Sequence, residues 1–356
     1  MKVTIGGTLA KPDVLAMPAP TFLLCDAGQR EIGFMVVNNP ALHREWNAQR
    51  LASFVAGFGA MIILAELLLR QIGWLQAEIG WTLLDRDVPE AAAGLVAALS
   101  GGLLTMAALA GLFAAAEWRH LRFARFLPRY GEGLLYTATA LVIASLIQTL
   151  AFAALGWLGF APLLRADALG PVMVVLPFVY MIGIGFFEYW LHRALHAVPL
   201  LWRLHAIHHQ IEGLNAARSY SHWAQDALYF AVITVPIALL IDQPQPHVTL
   251  VTTFYLVSNY YMHSDSPGLS FPPWLRHVLA DNVYHHHHHS RSVEHWGRNY
   301  CSFFSFYDRL FGTQHMPADA TFPVTGIEGY HPLTGWRDYL LRPFTCDPRK
   351  SARLPQ

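Results

Sequence analysis

Long apolar runs dominate the pattern of this chain. A membrane helix needs roughly 20 predominantly apolar residues. Segment 51–69 meets that need with only Glu66 near its end, 91–116 is uncharged and rich in small residues, and 134–164 is uncharged throughout. Segment 168–187 is also uncharged and carries Pro171 and Pro177, which a membrane helix tolerates. Segments 227–241 and 248–262 are each short for a crossing and are separated by Asp242-Gln-Pro-Gln-Pro-His247. They predict a further pair of spans, or a helical hairpin that re-enters from one side. The pattern is that of an all-α, polytopic membrane bundle, with no internal repeat of the kind that marks transporters built from duplicated halves. Ahead of it, short apolar runs at 21–26 and 31–37 flank Ala27-Gly28-Gln29-Arg30 and suit a β-hairpin or an irregular lead-in. The first 20 residues hold Lys2 and Lys11 but lack the apolar core of a secretory signal.

Composition agrees with the runs. Of 356 residues 54% are hydrophobic and 13% charged, about half the charge of a soluble domain, and the mean hydropathy is +0.31. A net charge of zero gives no basic surface for nucleic acid. The three cysteines, Cys25, Cys301 and Cys346, are too dispersed for a disulfide framework or a thiolate metal site. The densest basic cluster, Arg119, Arg122, Arg125 and Arg129, lies between the second and third spans and is expected in the cytoplasm. Alternation then places the N-terminus, 188–226 and everything after His263 on that side. Arg193, Arg203 and Arg218, and later Arg276, Arg291, Arg298 and Arg309, agree, while 70–90 has two arginines against four acids and suits the opposite face. Three lysines against 21 arginines fit a high-GC bacterium, hence a bacterial inner membrane.

Histidine is the anomaly: 16 of 19 fall between His192 and His315. Glu188, His192 and His196 recur every four residues and share one helix face just past the fourth span. His205, His208 and His209 follow at i, i+3, i+4, a spacing that suits one or two metal ions. The run His285-His286-His287-His288-His289 contains the same spacing through His285, His288 and His289. At about 100° per helical residue those three converge on one face, whereas His286 and His287 point sideways and away. A solvated polar face is the ordinary reading of such stretches, but such faces are built from lysine and glutamate. His222 and His263 stand singly at the edges of the fifth and sixth spans.

These blocks resemble the fatty acid hydroxylase/sterol desaturase superfamily. The resemblance rests on His192-Arg-Ala-Leu-His196, Pro199-Leu-Leu-Trp202-Arg-Leu-His205-Ala-Ile-His208-His209, His263-Ser264, the spacing within the histidine run, and Asn299-Tyr300 with Tyr307-Asp308-Arg309-Leu310-Phe311-Gly312-Thr313. It covers about 177–313; Cys301 stands where glycine usually follows the Asn-Tyr pair, and the resemblance does not extend to the first 130 residues. The resemblance implies a cytoplasm-facing membrane enzyme in which two iron ions use O2 on a lipid. The ligands it implies are His192, His196, His205, His208, His209, His263, His285, His288 and His289, with His222, a position that is not always histidine, as a tenth. Glu188 and Asp265 are then expected to orient His192 and His263 by accepting from their ring N–H groups. The chain has neither a c-type haem motif nor a glycine-rich nucleotide fingerprint, so electrons would come from a cytochrome b5-like or ferredoxin-like donor. A helical cap at the cytoplasmic ends of the spans would carry the ligands, within reach of an acyl or sterol chain.

The expected organisation is an N-terminal cytoplasmic segment (1–50), N-terminal spans (51–176), a catalytic domain (177–315) and a C-terminal tail (316–356). Hydroxylation of a membrane lipid is the leading expectation. Desaturation or bond cleavage at the same centre is the alternative, because both begin with the same hydrogen abstraction. A metal transporter fits less well, since transport needs polar groups at mid-depth and these histidines lie at span ends.

Overall fold

The computed structural model describes residues 47–118, 123–242, 244–318 and 321–346. The β-hairpin expected within 21–37 lies outside the described residues, as do Arg119, Arg122 and the end of the tail. The described chain is helical. Its only strands are β1 (Leu164–Arg165) and β2 (Ile241–Asp242), a two-residue parallel pair.

Helix α1 (Ala48–Leu84) starts where the Asn47 side chain accepts from Arg50 N at 2.8 Å. It runs 15 residues past the predicted span. No proline lies between 70 and 84, and the next one comes at Pro89. Helices α2 (Glu90–Glu117) and α3 (Phe123–Trp157) follow, with Arg125 and Arg129 on the opening turns of α3. The span expected at 168–187 forms differently. Residues 166–174 are 3-10 turns broken at Gly170 (φ 54°), and α4 begins only at Leu176. A left-handed glycine before a proline that lacks an N–H explains the break. The fifth run extends through α6 (Trp223–Tyr229), a π turn and α7 (Val235–Leu240) without interruption. Helix α8 (Gln245–His263) contains the sixth. Among the described residues, four helices, α1, α2, α3 and the continuous 223–240 segment, are long and apolar enough to cross a membrane.

The outer faces of these helices are apolar, as lipid requires. Trp74, Trp81, Leu150 and Trp157 are among the most exposed side chains. Polarity gathers at one end. Here α4 (Leu176–Ala197), α5 (Pro199–His209), α9 (Asn282–His288), α10 (Phe306–Leu310) and α11 (Trp336–Thr345) assemble with connecting loops into a cap. A core of Met61 and Ala65 from α1, Leu109 and Phe113 from α2, Tyr261 and Met262 from α8 and Tyr284 from α9 welds spans to cap.

The end of α2 is tied in by Glu117, fully buried, which accepts from Ala216 N at 3.0 Å, from Asp265 N at 2.7 Å and from the Tyr130 hydroxyl. Gly133 on α3 lies so close to the Ala217 carbonyl that a Cβ would overlap it. The end of α2 and the first turns of α3 are thus at the cap end of the bundle.

Candidate metal centre

Each histidine reaches the centre for a local reason. His192 and His196 occupy the last turns of α4, which stops at Val198 because the residue before a proline prefers extended backbone. Pro199 then starts α5, and this sharp join brings the His196 and His205 rings to 4.8 Å. His263 is the last residue of α8. Helix α9 is set by Asp281, whose carboxylate accepts from Tyr284 N at 2.8 Å and pairs with fully buried Arg276 at 2.7 Å. The Asn282 amide donates to Ser264 O at 3.0 Å and Ser266 O at 2.9 Å, fastening α9 beside His263.

The nine imidazoles fall into two adjacent groups, His192, His196, His205, His209 and His288, and His208, His263, His285 and His289. Within each group the donor nitrogens all lie within 4.8 Å of one another. The groups meet where His209 stacks on His289, ring centroids 4.3 Å apart. The three histidines of the run that share a face divide between the groups: His288 joins the first, and His285 and His289 the second. His286 and His287 face elsewhere; His286 Nε2 donates to His263 O at 3.1 Å.

Ring orientation is fixed from behind, mostly by main chain. His192 Nδ1 donates to Tyr300 O (2.6 Å), His208 Nδ1 to Tyr220 O (3.2 Å), His263 Nδ1 to Asn259 O (2.7 Å) and His288 Nδ1 to Arg298 O (2.8 Å). His205 Nδ1 donates to the Gln225 side-chain oxygen at 3.0 Å. With the proton held on Nδ1, each Nε2 carries a lone pair. Yet His208 Nε2 and His263 Nε2 are 3.1 Å apart, and His192 Nε2 and His205 Nε2 are 2.9 Å apart. No proton lies between the members of either pair. Two facing lone pairs repel, and a cation between them removes the repulsion. Nitrogens at right angles about an ion with bonds of about 2.1 Å are about 3.0 Å apart. The residues therefore fit metal. Burial pushes His192 and His208 down to about 4 and lowers the other seven well below the usual imidazole range, so all nine are neutral and ready to bind.

Three expectations are corrected. Glu188 does not orient His192, because Tyr300 O occupies Nδ1; Glu188 bonds Ser302 instead, and burial holds its carboxyl at about 8. Asp265 does not orient His263, because Asn259 O does so from one turn back; burial, then the nearby Glu117 carboxylate, pushes Asp265 up to about 7. His222 joins neither group. Its Nδ1 accepts from Ala224 N at 3.2 Å as the cap of α6, and its ring packs on Tyr339.

Sequence reading missed the supports. Asp308 accepts from Tyr300 N (2.8 Å), Cys301 N (3.0 Å), the Thr313 hydroxyl (2.7 Å) and the Tyr284 hydroxyl (3.1 Å). It thereby fixes the strip whose carbonyls hold His192 and His288. Only the Asn-Tyr…Asp…Gly-Thr pattern signalled it, without a chemical role. Gln225 gave no signal. Replacing Gln225 with Leu is expected to weaken metal binding about 10–100-fold through His205; titration of the metal-free protein checks this, and unchanged affinity would show that Gln225 is not needed.

Comparison with known proteins agrees with this geometry. Residues 177–313 match the fatty acid hydroxylase family model. Methylsterol monooxygenase of Aspergillus fumigatus is 34% identical over 37% of this chain and 44% of its own length. A very-long-chain aldehyde decarbonylase of Oryza sativa is 30% identical over 43% and 25%, and alkylglycerol monooxygenase of Danio rerio 27% over 37% and 29%. The chain thus spans less than half the length of these relatives. No solved structure matches it significantly. Residues 177–313, which carry all nine clustered histidines, are thus the part of the chain that is similar to the fatty acid hydroxylase family.

Proposed function

We propose that this protein is an O2-dependent membrane lipid hydroxylase whose two histidine groups hold a pair of iron ions. The observation that carries the reading is the approach of His208 Nε2 and His263 Nε2 to 3.1 Å with both Nδ1 protons committed to carbonyls. Nine neutral imidazoles exceed what one ion can take, and imidazole suits iron. Once bound, iron supplies the oxidising power to activate O2 against an unactivated C–H bond. The chain itself holds the rings in one orientation, keeps their protons on Nδ1 and excludes bulk water by burial. Electrons come from an external cytochrome b5-like or ferredoxin-like donor docking on the cap.

The substrate is a membrane lipid with an acyl or sterol-like chain, which rises between the spans into the cap. Relatives named for a methylsterol and an alkylglycerol support that class. The cap faces the cytoplasm, in a bacterial inner membrane. The first turns of α3, which include Arg125 and Arg129 of the basic cluster, lie at the cap end and support this side. A relative named as an aldehyde decarbonylase favours bond cleavage as the second reading, with desaturation as its close neighbour.

The test compares total lipids of aerobic cells with and without the gene, together with elemental analysis of the active protein. A species heavier by one oxygen, and two irons per chain, are expected. Loss of two hydrogens instead would move the assignment to desaturation. One iron or none in active protein would overturn the dinuclear reading, and unchanged lipids the enzymatic one.

A further inference from the structure

A third histidine cluster lies on the far side of α9. His287, His295 and His315 bring their donor nitrogens within 4.8 Å of one another, outside both groups described above. They come from three segments: α9, the 3-10 turn Val293–His295, and the loop that follows Gly312-Thr313. The ring centroids are 4.8 Å apart for His287 and His295, 4.5 Å for His295 and His315, and 5.6 Å for His287 and His315.

His287 is prepared as the clustered ligands are. Its Nδ1 donates to Val283 O, one turn back, at 2.9 Å, as His263 Nδ1 does to Asn259 O. The lone pair is therefore on Nε2, which no hydrogen bond reaches among the described residues. His295 Nδ1 is buried and has no partner either. A buried, unpartnered imidazole nitrogen costs free energy unless something fills it.

The other two donors are anchored by their backbones. His315 N donates to Asn299 Oδ1 at 2.7 Å, and Asn299 Nδ2 donates to His315 O at 2.9 Å. The Trp296 indole donates to Ser290 O at 3.1 Å and holds the 293–296 turn against the end of α9. Glu294 lies at the rim, its carboxylate 4.0 Å from His295 Nε2, and adds negative charge for a dication.

We propose that His287, His295 and His315 form a third, mononuclear metal site that takes a zinc-class divalent ion, with water as the fourth ligand. Three imidazoles and a water are an established coordination set for zinc. Tetrahedral bonds of about 2.0–2.1 Å place ligand nitrogens about 3.4 Å apart, so the rings close in slightly around the ion. His295 and His315 are partly exposed, so this site loads from solvent without opening the buried pair. Its role is a clamp. Helix α9 has seven residues, too few to be stable alone, and it carries ligands of both buried groups. An ion on its outer face fastens it to two loops.

The test uses the full chain in detergent, stripped by a chelator, then saturated with Zn(II) alone and, separately, with Co(II) alone. Bound ions are counted for the wild type, His295→Ala and His315→Phe. His315→Phe keeps a flat ring against His287 and removes the donor, which separates packing from ligation. The wild type is expected to bind one ion more than either variant, while both variants keep the two ions of the buried pair. The intense visible absorption of four-coordinate Co(II) should be lost with that ion. An equal count in all three proteins overturns the site. Loss of every ion from both variants also overturns it, since these rings would then support the buried pair and hold no ion of their own.

Discussion

His288→Ala is expected to lower activity more than about 100-fold and to release iron, while His286→Ala, two residues away in the same run, keeps activity within tenfold and both irons. Removing a group that merely orients a ligand already costs about 10–100-fold, so losing the ligand costs more. His288 stands 4.5 Å from the His192 ring and 4.6 Å from the His209 ring. His285 and His289 lie in the other group, so His285→Ala and His289→Ala should resemble His288→Ala. His286 is edge-on to Phe322 at 4.6 Å and bonded to a carbonyl, so its loss is a packing change. His287→Ala should leave both irons and lose only the third ion. Turnover and iron per chain for the five alanine variants check the pattern. Equal, mild losses at all five positions would mean that the run is an interchangeable basic tract and no part of the centre.

Asp308→Ala is expected to lose at least about 3 kcal/mol of stability and most of the bound iron, although Asp308 touches no histidine of the centre. The carboxylate is fully buried and accepts four hydrogen bonds. Each buried donor left unpaired costs about 1–3 kcal/mol. The strip 298–301 then loses its anchor, and with it go the carbonyls that hold His192 and His288. Asp308→Asn keeps an acceptor oxygen and should fall between the two. Thermal unfolding in detergent and iron content measure the effect; a loss below about 1 kcal/mol with full iron would show that the strip is held by something else.

The histidine cluster was largely legible because such residues are rare in such density, and because i, i+4 spacing fixes a face. That is why the nine clustered histidines could be named from spacing and resemblance. Geometry behind the rings was not legible. Glu188 has the right spacing to meet His192, but the ring proton goes to a carbonyl 108 residues away. Main-chain acceptors carry no signature in sequence. His222 was a tenth ligand by resemblance alone, yet its ring caps α6 and packs on α11, a contact that depends on where α11 docks. Hydropathy located the four helices long enough to cross a membrane, but 168–187, read as a further span, is not among them, since Gly170-Pro171 breaks a run that is otherwise apolar enough. Glu117 sits at the end of such a run as an ordinary interfacial acid would, and only the folded chain shows it fastening three segments.

The use of main-chain carbonyls as ring supports has a consequence for mutational tolerance. A carbonyl is present whatever the side chain, so Tyr220, Asn259, Arg298 and Tyr300 can change identity without depriving His208, His263, His288 and His192 of their acceptors. Exchange of one residue for another cannot erase these supports; only displacement of the chain can. Sensitivity is thereby transferred to positions that shape the backbone, such as Asp308, Asp281 and Asn299, which hold no proton of the centre. The variants most damaging to the centre, after the histidines, are thus to be sought among residues that never touch it.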